Sequence, residues 1–155
     1  VSQQRPEEED RAHTTERPAI GDPGERFEWI VEAGKVAEFG TACLDPHASD
    51  PRHVPITFTE VATHFWEQAE SRIGVGELDR SRLLHGEQEL EYVRPLQVGD
   101  RLTGQTKLVD RYVKAGRRGG EMTFLVYETT FVDEAGAVVV RSTKTLLEVS
   151  AAPHE

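Results

Sequence analysis

Cysteine is almost missing from this chain: Cys43 stands alone among 155 residues. A single thiol closes no internal disulfide and builds no cysteine-based zinc cluster. Long apolar runs are missing too. No stretch approaches the roughly 20 residues that span a bilayer, and no signal-peptide apolar segment is visible. Positive charge is scarce, with 18 Lys and Arg against 28 Asp and Glu and a formal net charge of −10. No basic stripe with interleaved aromatics occurs, which argues against a nucleic-acid partner. No P-loop or dinucleotide-binding glycine spacing occurs either, which argues against nucleotide hydrolysis and hydride transfer. The expectation left standing is a cytoplasmic protein with neither metal nor cofactor.

What is present divides unevenly. Residues 1–25 carry seven acidic side chains against three arginines, a net −4, and three prolines. Such a segment has too few apolar groups to offset its ordering entropy, and it reads as a flexible acidic arm. Residues 26–150 carry the rest of the charge and enough apolar residues for a single domain.

Within that domain, residues 26–31 suggest a short first strand. Glu32–Leu44 suggests a helix, with Val36, Phe39, Gly40 and Cys43 spaced to share a face. A loop follows from Leu44 to Pro55, with three prolines, two aspartates and two histidines. Thr57 and Glu60 have capping-box spacing and predict a long helix from Phe58 to about Ile73, closed by Gly74 and Gly76. Val61, Phe65, Ala69 and Ile73 form its apolar face, and His64 lies on its flank.

The pattern then changes to period two. Strands are predicted near 84–94, 101–113, 121–132 and 137–149, with hairpin loops at 114–120 and 133–136. In the first of these, Leu84, Gly86, Gln88, Leu90 and Tyr92 share one face. His85, Glu87, Glu89, Glu91 and Val93 share the other. Pro95 ends the pairing and Gly99-Asp100 turns the chain. The order predicts an α+β fold: an antiparallel sheet wrapped around one long central helix. A sheet that spends one face on a helix still has an edge or face to cover, and a dimer covers it.

The run His85-Gly-Glu-Gln-Glu-Leu-Glu-Tyr-Val-Arg-Pro-Leu-Gln-Val-Gly-Asp100, with Pro55-Ile-Thr-Phe58 leading into the long helix, resembles the MaoC-like dehydratases. The closer resemblance is to their N-terminal, FAS1-type dehydratase branch. It covers roughly residues 28–149 and implies a hot-dog fold. It also implies a paired assembly, either a homodimer or a heterodimer with a second hot-dog subunit. The implied substrate is an acyl-CoA or acyl-carrier-protein thioester. The implied reaction is reversible hydration of a trans-2-enoyl thioester to its (3R)-hydroxyacyl form. In this family an aspartate and a histidine, in a D-x-N-P-x-H loop, orient and activate the water.

Here that loop reads Asp45-Pro-His47-Ala-Ser-Asp50. Asp45 matches the family aspartate, but Asp50 stands where the histidine belongs. His47 and His53 are the nearby imidazoles. The resemblance therefore implies a non-catalytic acyl-binding half that pairs with a catalytic MaoC-like partner. A self-sufficient homodimeric hydratase using Asp45 with His47 or His53 is the alternative. A non-enzymatic acyl-thioester binding module and a thioesterase are further readings that the same fold could host. His85-Gly86 and Arg117-Arg118 are candidate substrate-binding residues. Glycine permits close backbone approach, and a guanidinium fork suits phosphate.

Overall fold

The computed structural model describes residues 19–62, 80–116 and 120–149. Its sheet is built from β1 (Pro23–Ile30), β2 (Leu83–Tyr92), β3 (Arg101–Ala115), β4 (Glu121–Val132) and β5 (Val138–Val149). Helix α1 (Ala33–Ala42) follows β1, and two 3₁₀ segments occupy Phe58–Ala62 and Arg80–Arg82. The strands run antiparallel in the order β1-β3-β4-β5-β2, which makes β1 and β2 the edges. The α+β expectation holds. Phe65, Ala69, Ile73, Gly74 and Gly76, with most of the expected long helix, lie outside the described residues. Among the described residues no helix is long and apolar enough to cross a membrane.

Period-two alternation explains most of the sheet. One face carries Trp29 and Phe27 of β1, Leu102, Thr106 and Leu108 of β3, Tyr127 and Phe131 of β4, and Val140 and Leu146 of β5. Two apolar clusters form on it. The larger joins Trp29, Phe58 and Phe131, with ring centroids 5.8 Å apart for Trp29–Phe58 and 5.4 Å for Trp29–Phe131. Phe39 of α1 closes it by an edge contact on Phe58. The smaller joins Leu108, Leu125, Tyr127 and Leu146. Between them lies a polar strip. The Thr106 and Thr129 hydroxyls share a hydrogen bond, and Gln88 donates to Ser142 at 2.9 Å.

Several local expectations are corrected. β1 begins at Pro23, three residues before the predicted strand. In α1 only Val36 and Gly40 of the expected face are buried, and Cys43 is exposed. Glu60 does not close a capping box, because its carboxylate is directed across to the sheet. It accepts from Gln88 and from Lys144 Nζ at 2.9 Å. In β2 the register slips between His85 and Glu87, leaving Gly86 as an extra residue. Such a bulge reverses the facing of everything before it. Leu83 therefore packs on the smaller cluster while Leu84 is exposed.

The turns obey simple chemistry. Asp133 Oδ1 accepts the amides of Ala135 and Ala137, and Gly136 takes φ 81° in that hairpin. Gly99 takes φ 94° before β3. Asp100 is held there by two bonds from Arg94, at 2.8 and 3.1 Å, and by the Gln97 amide. This ties the end of β2 to the start of β3.

Gly104 is the tightest point. β1 and β3 pair Phe27 with Gly104, and a Cβ added there would fall 2.3 Å from the Phe27 ring. The ring covers the bare backbone, and Phe27 also packs edge-on against Phe131. Gly104→Ala must displace that ring. It is expected to lower stability by about 1–3 kcal/mol in denaturant unfolding. An unchanged midpoint would show that Phe27 is free to move.

Candidate functional site

The loop between α1 and Phe58 is shaped by where α1 stops. Leu44 takes a left-handed φ of 56° just after the helix. The Asp45 amide then returns to the Gly40 carbonyl at 2.9 Å. Gly40 permits this return, since a Cβ there would lie 2.9 Å from that of Ala48. Three further turns follow. The amides of Ala48, Asp50 and His53 bond to the carbonyls of Asp45, His47 and Asp50. Successive turns of this kind bring residues eight apart into contact.

Asp45 Oδ2 lies 2.8 Å from His53 Nε2, while Asp45 Oδ1 accepts the His47 amide at 2.8 Å. The carboxylate is mostly covered, with 16% of its side-chain surface exposed against 33% for His53. The His47 amide and then the His53 ring hold the Asp45 carboxyl below the usual carboxylate range. Ionised, it can only accept, so the His53 Nε2 bears the hydrogen. The ring nitrogen not engaged by Asp45 is Nδ1. The His47 ring stands 5.3 Å from that of His53.

Asp50 goes elsewhere. Its Oδ1 accepts the Arg52 amide at 2.9 Å, and the Arg52 guanidinium lies 3.4 Å away. Those two contacts hold its carboxyl down as well. The structure thus joins Asp45, His53 and His47 and turns Asp50 toward Arg52. His85 pairs with Leu146 at the β2 bulge, and Gly86 is the extra residue before Glu87, which pairs with Thr145. The loop meets β2 at its other end, where the Tyr92 hydroxyl donates to the Ile56 carbonyl. His85 is seven residues away, roughly 23 Å along the strand. Arg117, Arg118 and His64 lie outside the described residues. Among the described residues no three His, Cys, Asp or Glu side chains converge as a metal site.

A groove adjoins His53. Val54, Pro55 and Ile56 form one wall, Tyr92, Val93 and Leu96 the other, around a volume of about 340 Å³. Burial raises the Tyr92 phenol above its ordinary pKa, and the charge on Glu60 adds to the effect. Phe58 in the aromatic cluster, Tyr92 on Ile56, and Lys144 with Gln88 on Glu60 pin this wall to the sheet. Sequence reasoning missed the Glu60–Gln88–Lys144 set. Its signal was Lys144 itself, which shares a period-two face with Ser142 and Leu146.

Because the folded Asp45 pKa lies below its ordinary 3.8, its loop contacts are at full strength above that value. They are lost as pH falls through the depressed pKa. The His47 amide proton, followed by NMR, is therefore expected to keep its bonded shift through pH 4 and to move only below 3.8. Asp45→Asn should abolish that acid transition. A transition at or above 3.8 would contradict the geometry.

Comparison with known proteins agrees with this architecture. Residues 19–142 match the family described as FAS1-like, dehydratase domain region. The chain is 34% identical to a UPF0336 protein of Thermobifida fusca (strain YX), over 77% of this chain and 83% of that one. It is 37% identical to a UPF0336 protein of Clavibacter michiganensis, over 77% and 85%. In fold it resembles the truncated HadBC (3R-hydroxyacyl-ACP dehydratase) complex of Mycobacterium tuberculosis. That match has TM-score 0.63 and 18% identity, over 80% of this chain and 95% of the other. A MaoC-like dehydratase matches with TM-score 0.69 and 23% identity, over 85% of this chain and 42% of the other. The ChsH1–ChsH2 complex of M. tuberculosis matches with TM-score 0.60 and 14% identity, over 85% and 91%. Sheet, connectivity and family match converge: this chain belongs to the FAS1-like dehydratase-region family and has the MaoC-like hot-dog fold.

Proposed function

We propose that this chain is the acyl-holding half of an (R)-specific enoyl-thioester hydratase, or (3R)-hydroxyacyl-thioester dehydratase, and that a catalytic hot-dog partner supplies the acid–base groups. Hydration adds water oxygen to C3 of the enoyl thioester and a proton to C2. One group must orient the water and another must take its proton. The observation that carries the reading is the double engagement of Asp45. Oδ1 accepts the His47 amide and Oδ2 contacts His53, so both oxygens are already engaged within the loop. Asp50, at the expected imidazole position, offers no imidazole, and its Oδ1 accepts from Arg52.

The groove beside the loop supports an acyl-binding role. Its lining is mostly aliphatic and proline side chains with Tyr92, and its one charged residue, Arg94, is paired with Asp100, which suits an alkyl chain. Two of the similar folds occur in two-protein complexes, HadBC and ChsH1–ChsH2. A hypothetical thioesterase of similar fold from Streptococcus pneumoniae (TM-score 0.51, 14% identity) was solved with coenzyme A, which is in keeping with a ligand carried on coenzyme A. The working domain begins at Pro23, where β1 starts, rather than at residue 26. The setting is cytoplasmic, and the reaction moves only water and a proton, so it calls for no redox cofactor.

A second reading rests on the same contact. Asp45 orients the His53 imidazole, whose Nδ1 could serve as the single base of a self-sufficient enzyme. The two readings separate cleanly. The purified chain is expected to show negligible crotonyl-CoA hydration, with saturable acyl-CoA binding, and neither His47→Gln nor His53→Gln should change its rate. Substantial turnover by a verified homodimer, lost on His53→Gln, would overturn the accessory role.

A further inference from the structure

Both walls of the groove beside His53 run toward one polar strip. The loop wall, Val54 to Ile56, continues through Phe58 into Thr59 and Glu60. The sheet wall continues from Tyr92 down the inner face of β2, through Leu90 to Gln88, roughly 13 Å along the strand. Among the described residues two bonds join these walls. The Tyr92 hydroxyl donates to the Ile56 carbonyl, and the Gln88 amide donates to the Glu60 carboxylate. Behind the second bond stands Lys144 of β5, with Nζ 2.9 Å from the other Glu60 oxygen. The Lys144 side chain is 14% exposed, against 34% for Glu60. Thr59, Thr129 and Ser142 line the same small cavity as this pair, and Thr59 and Ser142 are buried. The groove itself is open to solvent at Val93 and Ile56.

We infer that the Glu60–Lys144 pair closes the inner end of the groove and restricts this subunit to short acyl chains. The inference rests on the acyl-holding reading above and specifies the substrate class of that site. The groove is small, about 340 Å³, near the lower end of ligand pockets. A short alkyl chain gains by covering its aliphatic lining. A longer chain has two courses. Pushed inward, it must part the Tyr92–Ile56 and Gln88–Glu60 bonds and lie against the ion pair. That strips water from the charges and returns no hydrogen bond. Left outside, its extra methylenes stay in water and add nothing. Neither course rewards length. The strip discriminates by penalising the wrong ligand, while the groove lining attracts the right one.

The test is calorimetric titration of the full chain with hexanoyl-CoA and with dodecanoyl-CoA. Wild type should bind dodecanoyl-CoA no more tightly than hexanoyl-CoA. In the double variant Glu60→Met, Lys144→Met, dodecanoyl-CoA should bind at least about tenfold tighter than in wild type, the gain from burying about two more methylenes. Its affinity for hexanoyl-CoA should not change. A wild-type preference for dodecanoyl-CoA of about tenfold or more would overturn the inference and leave the acyl-holding reading intact. A folded variant in which both chain lengths weaken together would do the same, since a merely loosened wall gives that result. Failure of wild type to bind either ligand would overturn the acyl-holding reading and the inference with it. If circular dichroism shows the methionine variant unfolded, Glu60→Gln with Lys144→Gln carries the test, because it removes the charges and keeps polar groups in place. Its affinity for dodecanoyl-CoA should still rise relative to hexanoyl-CoA, and an unchanged ratio would overturn the inference.

Discussion

Phe58 decides where the functional loop can be. It is fully buried against Trp29 and Phe39, and it is the point where the irregular chain after α1 meets the inner face of the sheet. Burying a phenylalanine side chain contributes roughly 2–3 kcal/mol, more than any single polar contact nearby. The polar contacts then fix orientation. Tyr92 holds Ile56, and Lys144 with Gln88 holds Glu60, so the chain from 54 to 62 is tied to β2 and β5 as well as to the core. The loop before it is stretched between this anchor and α1. Its turns and the Asp45–His53 contact follow from that confinement.

The same confinement underlies the holding role proposed for the loop. A carboxylate that orients water needs an oxygen facing the substrate. Asp45 instead closes its own turn with one oxygen and a histidine eight residues on with the other. Asp50 repeats the first half of that pattern with Arg52. These are the acts of turn-forming aspartates, each lowered in pKa by the amide it accepts. What remains beside them is an apolar groove.

Much of the fold was legible in the sequence because strands announce themselves by alternation. All four later strands fall close to their predicted bounds, and the turns at Gly99 and Gly136 take the positive φ that glycine makes possible. The failures have a common physical cause. The Gly86 bulge and the redirected Glu60 both involve pairing with residues distant in sequence. A capping-box spacing cannot reveal that Gln88 and Lys144 compete for the same carboxylate. At the site, Asp45, His47 and His53 were all nameable, but only the folded turns distinguish the partners. His53 supplies its ring and His47 its backbone amide.

The account's central claim is a division of labour, and one measurement addresses it directly. The chain is reconstituted with a hot-dog partner that has an intact D-x-N-P-x-H loop, and crotonyl-CoA hydration by the complex is measured after removing one histidine at a time. With His53→Gln in this chain, the rate should be unchanged. With glutamine in place of the partner's loop histidine, it should fall by at least about 10²-fold. The reverse pattern, in which loss of His53 silences the complex and loss of the partner's histidine does not, would contradict the account.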